Sequence, residues 1–239
     1  MDAKGKSVAI MQPYIFPYLG YFQLINAVDE FVFYDDVNFI KRGWINRNKI
    51  LNNGSNKLIS VPCSHTSQNK FINEINVDFD NKQYKKILPT IFHSYSKAPY
   101  FDLIYPLIVD TFENTKSSTI ADLAIDSILN TLKYLGIVKK TKLSSKQFDS
   151  NRGLEKSLRL IDITKNLKGK TYVNAIGGMD LYEKKDFEKF GVELRFLKPN
   201  IKPYKQFSNK FEPGLSMIDT LMFNSKESCV EMLSDFELL

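Results

Sequence analysis

The first 35 residues place a strand, a loop, a helix and a second strand in close succession, and this order restricts the chain to few folds. Residues 7–12 are largely apolar, residues 19–27 predict a helix, and residues 30–35 form a second strand that ends in two acids. Such a β-α-β unit needs parallel strands joined by a right-handed crossover. It predicts an α/β fold whose ligands lie beyond the carboxyl ends of the strands.

The remaining chain continues this alternation, with Pro89 as a kink or break in one helix and with Thr119 and Gly136 as the ends of the clearest helix. We expect strands at residues 71–77, 170–175 and 192–197, helices at residues 82–95, 119–135, 153–167 and 181–190, and a hairpin turning at residues 52–56. The prediction is one domain over residues 1–239: a Rossmann-like, mostly parallel sheet flanked by helices, with an inserted hairpin and a helical C-terminal part. A subdivision into residues 7–80 and 117–239 stays open.

Composition limits the partners of this chain. Its 239 residues are 43% apolar, but no run is long enough to span a membrane and the N-terminus does not resemble a signal peptide. Cys63 and Cys229 are too few for a disulfide framework, which favours the cytoplasm. The net charge of +6 is dispersed among acids, which argues against nucleic acid and is compatible with phosphorylated or nucleotide-linked substrates.

The loop after the first strand is the first candidate site. Pro13 and Pro17 stiffen it, and Gly20 lets the backbone approach another group closely. Aromatic faces with polar tips and one amide are suited to binding a polar ligand. The candidate binding residues here are Gln12, Tyr14 and Gly20, with Tyr18 and Tyr21 beside them. The alternative is a tyrosine-rich corner of the core.

Acid-base chemistry has few candidates in this sequence. They are Asp35, Asp36, Tyr18, Tyr21 and His93. The acids end the second strand and would neighbour the loop at residues 12–20. They could instead hold a metal ion, or only pair with Lys41 and Arg42. No metal ligands are assigned, since neither His65 nor His93 has a second ligand at suitable spacing.

A cationic segment follows the acids directly. On a strand, Arg42, Trp44 and Asn46 would share one face, so that Trp44 could stack on a base or sugar while Arg42 binds a phosphate. The binding candidates of this segment are Lys41, Arg42, Trp44, Asn46 and Arg47. The alternative is a solvated, charged strand edge.

Further candidates lie in the second half of the chain. Asn174, Gly177 and Gly178 stand between a strand and a helix, where backbone N–H groups favour anions, although a diglycine is more often simple turn chemistry. The long loop at residues 198–213 contributes Tyr204 and Gln206.

Ser216 is the last candidate binding residue. Its position at the start of an apolar helix favours an N-cap, with Asp219 completing a capping box, over a nucleophilic role.

An ordered set of motifs resembles the WbqC-like family of bacterial proteins. The motifs are Met11-Gln12-Pro13, residues 16–22, residues 33–37, residues 41–48, Tyr172 with Gly177-Gly178, and residues 213–219. The resemblance implies a role in O-antigen or other surface polysaccharide biosynthesis, on a nucleotide-linked sugar. Acyl or aminoacyl transfer to an amino sugar, with acyl-CoA as a possible donor, would use Arg42, Trp44 and Arg47 for the nucleotide, Asp35 or Asp36 as base, and oxyanion donors at Asn46 or near Gly20.

A fainter likeness to nucleotidylyltransferases of the HUP-like fold gives an alternative. Tyr18-Leu19-Gly20-Tyr21 occupies the place of their His-x-Gly-His motif, and Ser216 could parallel their late serine. That alternative implies a nucleoside triphosphate with Mg²⁺ at Asp35 and Asp36. A third alternative is a non-catalytic subunit that binds a sugar nucleotide.

Overall fold

The computed structural model describes residues 5–114, 118–208 and 210–239. The strands are β1 (Ser7–Met11), β2 (Glu30–Phe33), β3 (Arg47–Asn52), β4 (Ser55–Ser60), β5 (Cys63–Ser64), β6 (Asn76–Val77), β7 (Lys140–Leu143), β8 (Thr171–Ala175), β9 (Glu193–Pro199) and β10 (Phe236–Leu238). The α-helices are α1 (Leu19–Ala27), α2 (Lys82–Lys85), α3 (Ile87–Tyr95), α4 (Phe101–Glu113), α5 (Ile120–Leu135), α6 (Ser144–Gln147), α7 (Lys156–Asn166), α8 (Lys184–Glu188), α9 (Met217–Phe223) and α10 (Lys226–Met232). Short 3₁₀ helices cover Ile72–Glu74, Asp149–Asn151 and Ile176–Leu181.

Six strands form the central sheet in the order β10-β9-β8-β1-β2-β7. Only the edge strand β10 is antiparallel to its neighbour. The other five strands pair in parallel. Numbered by their order along the chain and counted across the sheet from β7 to β9, they stand third, second, first, fourth and fifth. This is the order of doubly wound sheets, whose direction of winding reverses between the first and fourth strands. The predicted α/β class, with helices flanking a central sheet, is confirmed, and the sheet is mixed because β10 runs antiparallel.

Both faces of the sheet are buried, which explains the largely apolar run in β1. Ala9 faces the larger core, which α1 and α5 cover, whereas Val8 and Ile10 face a second core beneath α7 and α8. Alternate side chains of a strand point to opposite faces. The sheet draws strands from both halves of the chain, so one layer joins residues 7–33 to residues 140–199.

The clearest predicted helix and the hairpin are confirmed. The Oγ1 atom of Thr119 accepts a hydrogen bond from the backbone N–H of Asp122 at 3.2 Å, and Gly136 ends α5 with a φ of 75°. Strands β3 and β4 are joined through Asn53 and Gly54, whose φ angles of 49° and 75° suit a tight hairpin turn.

Several predicted boundaries are wrong for local reasons. Most of residues 71–77 form a 3₁₀ helix and a loop, leaving only β6 as a strand. The helix predicted at residues 82–95 breaks at Lys86, and Pro89 lies in the first turn of α3, where a missing N–H costs little. The helix predicted at residues 181–190 shrinks to α8.

The strands β7 and β10 and the helix α4 were not predicted. Strand β7 alternates lysine with Thr141 and Leu143, a pattern too polar to indicate a parallel strand. None of the helices within the described ranges combines the length and the apolar character needed to cross a bilayer.

Candidate functional site

The loop between β1 and α1 is held in one shape by side chains from three distant segments. Phe16 is completely buried and has a φ of 40°, which is unusual for a residue with a Cβ. Its N–H donates to the Oγ of Ser127 at 2.9 Å, and its carbonyl oxygen accepts from Asn48 Nδ2 at 2.6 Å and from Ser216 Oγ at 2.7 Å. The loop is therefore preorganised, as binding loops on rigid scaffolds are.

The three tyrosines of this loop and of the start of α1 differ in exposure. Tyr21 is buried, and its hydroxyl donates to the carbonyl oxygen of Gln12 at 2.9 Å. The half-buried Tyr14 donates to Gln12 Oε1 at 3.4 Å, and its ring lies 5.7 Å from that of Tyr21. Burial, and secondarily Tyr18, raise the pKa of Tyr14 to about 12. Burial also raises the pKa of Tyr18, and that of Tyr21 well above its usual value.

These phenols therefore stay protonated at neutral pH and act as hydrogen-bonding groups. Tyr21 therefore fits the alternative interpretation of this loop, in which its tyrosines form a corner of the core.

Gly20 permits a close approach within the protein itself. A Cβ at this position would lie 2.4 Å from Cε2 of Tyr18 and 2.8 Å from Cγ of Pro199. The glycine therefore lets the start of α1 pack against the end of β9 and positions the Tyr18 ring. Its role as a direct ligand contact stays a prediction.

The carboxyl ends of β1 and β8 meet where the winding of the sheet reverses. Gln12 follows β1 there, and Asn174 lies near the end of β8. Asn174 Oδ1 accepts from the N–H of Ala175 at 2.9 Å, and a Cβ at Gly178 would lie 2.4 Å from Asn174 Nδ2. Gly177 is exposed and has open space around it. Both glycines belong to a 3₁₀ helix rather than to the predicted turn before a helix.

Asp35 caps a neighbouring helix. Its Oδ1 accepts from Ser144 Oγ and the N–H of Ser145, each at 3.0 Å, at the start of α6. Its Oδ2 accepts from Ser145 Oγ at 2.6 Å and from Asn73 Nδ2 at 3.4 Å. Three donors, and a share of the single Ser144 hydroxyl proton that Asp36 also receives, satisfy this buried carboxylate and disfavour its predicted role as a base.

Asp36 belongs to a buried ion-pair network. Its Oδ1 accepts from Ser144 Oγ, while Oδ2 accepts from Arg159 Nη2 at 2.6 Å and from Arg152 Nε at 3.2 Å. The Arg159 guanidinium also lies over the ring of Tyr34, 4.8 Å from its centre. Burial alone would raise the pKa of Asp36, but the hydrogen bonds from Ser144 and Arg159 and the arginine charges lower it overall.

The alternative prediction was that the paired acids only form salt bridges. Asp36 does form salt bridges, but with partners other than the predicted ones. Asp36 pairs with Arg152 and Arg159, whereas the prediction named Lys41 and Arg42. Within the described ranges, no three His, Cys, Asp or Glu side chains form a group that could hold a metal ion. A catalytic role for Asp35 or Asp36 stays a prediction.

The predicted strand through Arg42, Trp44 and Asn46 is wrong. Residues 41–46 form turns and bends, and β3 begins only at Arg47, so the inferred sharing of one strand face fails. Arg42 is exposed with a φ of 62°, and this left-handed residue interrupts any strand.

The cationic segment is nevertheless fixed to the first loop. The N–H of Ile15 donates to the carbonyl oxygen of Ile45 at 3.0 Å. Trp44 is 45% exposed, with Lys49 Nζ 5.8 Å from its ring centre, and Arg47 Nε donates to the carbonyl oxygen of Gly43 at 3.0 Å. The segment offers an exposed indole beside cations, next to the loop after β1.

The two other predicted binding residues of the cationic segment differ in whether their side chains are free to contact a ligand. Asn46 Nδ2 is used by the carbonyl oxygen of Val61 at 2.8 Å, so this amide holds the hairpin. Lys41 is exposed in the turn.

Sequence reasoning missed the buried carboxylate of Asp219. Tyr95 donates to its Oδ1 at 2.9 Å, and Tyr204 and Gln206 Nε2 donate to its Oδ2 at 2.8 and 2.7 Å. Burial raises the pKa of Asp219 despite these three donors. Residues 217–222 of α9 are all buried, and Asp219 is the single acid of this largely apolar helix, which is a sequence signal that could have found it.

The predicted capping box is therefore wrong, although the cap itself is confirmed. Ser216 Oγ accepts from the N–H of Ile218 at 3.2 Å. The N–H of Ser216 donates to the backbone carbonyl oxygen of Lys49 at 2.8 Å, so it is not available to the side chain of Asp219.

His93 lies apart from this arrangement. It is exposed on α3, with its ring edge-on to Phe92 at a centroid distance of 5.7 Å. In the described parts of the chain, no hydrogen bond links His93 to the loop after β1 or to the paired acids.

Comparison with known proteins identifies the family. The profile of the WbqC-like protein family matches residues 12–231. The chain belongs to this family. It is similar to the uncharacterized protein Rv1507c of Mycobacterium tuberculosis (strain ATCC 25618 / H37Rv), with 29% identity over 227 residues that cover 92% of this chain and 94% of that protein. No solved structure matches the chain. The family predicted from the motifs is confirmed.

The family match includes every candidate site residue of this WbqC-like protein, from Gln12 to Asp219. Of the predicted residues, the structure brings Gln12, Tyr14 and Tyr21 together and joins Tyr204 to Gln206 through Asp219. It gives Asp35 and Asp36 partners of their own.

Proposed function

We propose that this protein binds a nucleotide-linked sugar at the carboxyl edge of its sheet and transfers a group to that sugar. One observation carries the proposal: the winding of the sheet reverses between β1 and β8, next to Gln12, Asn174 and the exposed Gly177. In doubly wound sheets, ligands bind in the crevice that forms where the winding reverses. Family membership supports a role in surface polysaccharide biosynthesis.

Two kinds of groups suit the two parts of such a ligand, one at the carboxyl edge of the sheet and one in the cationic segment that is hydrogen-bonded to the loop after β1. The amides of Gln12 and Asn174 and the hydroxyl of Tyr14 can hydrogen-bond sugar hydroxyls. Trp44 offers an exposed ring for a base, with Arg42 and the other cations of its segment for the phosphates. The net charge of +6 favours the approach of an anionic ligand.

The reaction we propose is acyl or aminoacyl transfer to an amino sugar. The neutral sugar amine attacks the carbonyl carbon of an acyl thioester such as acyl-CoA, a C–N bond forms, and the C–S bond breaks. The amine gives up one proton and the leaving thiolate takes one up, so the products are an amide and a thiol. A preorganised loop supports this chemistry because it can aim donors at the developing oxyanion.

The test is a thermal-shift screen with UDP-linked sugars, free nucleotides with and without Mg²⁺, and acyl-CoA. A ligand at 100 times its Kd stabilises the fold by about 2.7 kcal/mol. We expect a shift with a nucleotide-linked amino sugar. No shift with any nucleotide sugar would reject the proposal.

A variant pair then locates the site. Arg42→Ala with Trp44→Ala should abolish the shift and leave the melting temperature of the free protein unchanged, since both side chains are exposed. The control is Lys57→Ala with Leu58→Ala on β4, which removes a cation and an apolar side chain of similar exposure. An unchanged shift in the first variant would exclude this segment from the pocket.

A nucleotidylyltransferase-like activity is the second candidate. The third-second-first-fourth-fifth strand order and the start of α1 directly after the loop favour it, as a distant likeness to the HUP-like fold. It requires a nucleoside triphosphate and Mg²⁺, which the occupied carboxylates of Asp35 and Asp36 do not favour. Release of pyrophosphate from a triphosphate would support it, and tight binding of a nucleotide sugar without turnover would instead indicate a binding subunit.

The cytoplasm is the proposed location. Nucleotide-linked sugars are soluble metabolites, and the free Cys63 and Cys229 fit a reducing compartment. Cell fractionation with an antibody to the chain tests this location.

A further inference from the structure

In its ionised form, the carboxylate of Asp219 has no cation to balance its charge. Its side chain is completely buried, and its three hydrogen-bond donors are the neutral groups of Tyr95, Tyr204 and Gln206. Among the residues that the structure describes, no lysine, arginine or histidine lies within ion-pair distance of it. Buried charges are ordinarily paired or bound to a cation, so the ionised Asp219 side chain lacks such a partner and would gain one from a cationic ligand.

A cleft lies beside this acid, lined by three aromatic rings and by the aliphatic side chains of Leu19, Ile201 and Leu215. Tyr204 lines the cleft and donates its hydroxyl to Asp219, which makes it the wall between the two. Tyr18 and Phe211 also line the cleft, and the ring of Phe211 meets that of Tyr204 edge-on at 4.9 Å. Thr220, the residue after Asp219, contributes a hydroxyl that lies 3.2 Å from that of Tyr204.

The size and chemistry of the cleft select one kind of group. Its volume of about 30 Å³ has room for a group somewhat larger than one water molecule, which needs about 10–15 Å³ of such space. An ammonium group is of similar size, and a positive charge is attracted both by aromatic faces and by an unpaired carboxylate.

We propose that this cleft binds a primary ammonium group, the protonated amine of an amino sugar, among Tyr18, Tyr204 and Phe211 and in the field of the Asp219 carboxylate. The inference rests on the proposed function and names its substrate class: the amine binds as the ammonium ion and becomes the neutral nucleophile only after it loses a proton. Tyr18 ends the preorganised loop after β1, so a sugar bound at the carboxyl edge can extend its amine into the cleft.

The first test uses methylammonium chloride as the probe, with sodium chloride and methanol as controls for charge and size. In an NMR titration we expect saturable shifts in the millimolar range at the amides of Tyr18, Tyr204 and Thr220, because so small a ligand binds weakly. Equal shifts with either control would overturn the proposal.

Two variants identify the groups responsible. Asp219→Asn removes the charge and keeps the shape, and it should weaken methylammonium binding by about tenfold or more. Phe211→Leu removes an aromatic face at a partly exposed position, so it remains informative if Asp219→Asn fails to fold; it should weaken binding of methylammonium but not of methanol. Unchanged methylammonium binding in folded Phe211→Leu and Asp219→Asn would reject the site.

A calorimetric comparison separates this inference from the proposed function. A UDP-linked amino sugar is compared with the UDP-linked sugar that carries a hydroxyl in place of the amine. We expect about tenfold tighter binding of the amine. Equal affinities would reject the ammonium site and leave nucleotide-sugar binding intact, whereas methylammonium binding without binding of either UDP sugar would support the site and reject the proposed function.

Discussion

Asp36 and Asp219 are both buried carboxylates near the carboxyl edge of one sheet, yet their surroundings are opposite. Asp36 accepts hydrogen bonds from two arginines, and its pKa is lowered despite burial. Asp219 accepts three hydrogen bonds from neutral groups, and burial raises its pKa. The number of hydrogen bonds therefore does not distinguish the two acids; the charge of the donors does.

This difference separates a structural acid from a candidate binding acid. The charge of a carboxylate with two guanidinium partners is neutralised within the protein, and the ion pairs join the segments that carry the three side chains. A carboxylate with neutral donors keeps its charge available to a ligand. Perturbed acids of the second kind, next to a cleft, are the better candidates for function.

The largest expected effect is that of Arg159→Met. The substitution leaves Asp36 buried beside a single arginine that is partly exposed, so we expect the free energy of unfolding to fall by about 3 to 5 kcal/mol. Urea denaturation measures the change.

The control is Arg195→Ala, which removes an exposed ion pair with Glu193 and should cost about 0 to 1 kcal/mol. A loss below about 1 kcal/mol in Arg159→Met would mean that the Asp36 network is not structural.

Tyr95→Phe tests the network of Asp219 in the same way. The hydroxyl of Tyr95 donates to Asp219 and accepts from the N–H of Leu51 at 2.8 Å, so its removal leaves two buried groups unpaired. We expect a loss of about 2 to 4 kcal/mol in urea denaturation, since each such group costs about 1 to 3 kcal/mol.

Tyr105→Phe serves as the matched control for Tyr95→Phe. Its hydroxyl is on a half-buried ring and makes one long bond of 3.4 Å, so we expect a change within about 0.5 kcal/mol. Equal effects of the two substitutions would show that the Asp219 network adds nothing to stability.

Gly20→Ala alters the cleft without touching either acid. The added methyl group would press on Tyr18 and Pro199, and overpacking of this kind costs about 1 to 3 kcal/mol. Displacement of the Tyr18 ring should also weaken methylammonium binding.

Gly177→Ala is the control for this change, because a Cβ there meets open space. If Gly20→Ala has no greater effect than Gly177→Ala on thermal unfolding, the close packing at Gly20 is not tight in solution.

The smallest effect is a difference in pH dependence. Because the folded pKa of Asp219 is raised, its contribution is fully present below the unfolded pKa of about 3.9 and is lost as pH rises through the folded pKa. The stability of the wild-type protein relative to Asp219→Asn should therefore fall as the pH rises above about 4.

The contribution of Asp36 to stability depends on pH with the opposite sign. Its lowered pKa gives a contribution that is present above about pH 3.9 and lost as pH falls through the folded pKa. Urea denaturation at several pH values checks both signs, and a pH-independent difference between wild type and Asp219→Asn would contradict the first.

The sequence was sufficient for the elements whose signals are local. The β-α-β unit, the hairpin at Asn53-Gly54 and the capped helix α5 follow from apolar periodicity and turn residues. Strand β7 could not be predicted from its own residues, because its place depends on pairing with β2 across more than 100 residues of chain.

The site was less predictable, because it depends on which segments meet. The motif made Gln12 and Tyr14 candidates for binding, and that role stays a prediction. Topology placed Asp35 and Asp36 beside their loop, but both acids form their hydrogen bonds with other segments. The pairing of Asp36 with Arg159, 123 residues away, and the burial of Asp219 against Tyr95, 124 residues away, have no local signature. Residue type predicted acids and tyrosines at the site, while charge balance could be read only from the fold.

The bonds on Phe16 have a consequence for how this protein is made. The carbonyl oxygen of Phe16 is held by Ser216, 200 residues further along the chain, and its N–H by Ser127. During synthesis the first loop leaves the ribosome long before either partner exists. A ribosome-bound chain that stops short of Ser216 therefore contains the residues of the β-α-β unit but lacks one of the hydrogen bonds that fix its first loop.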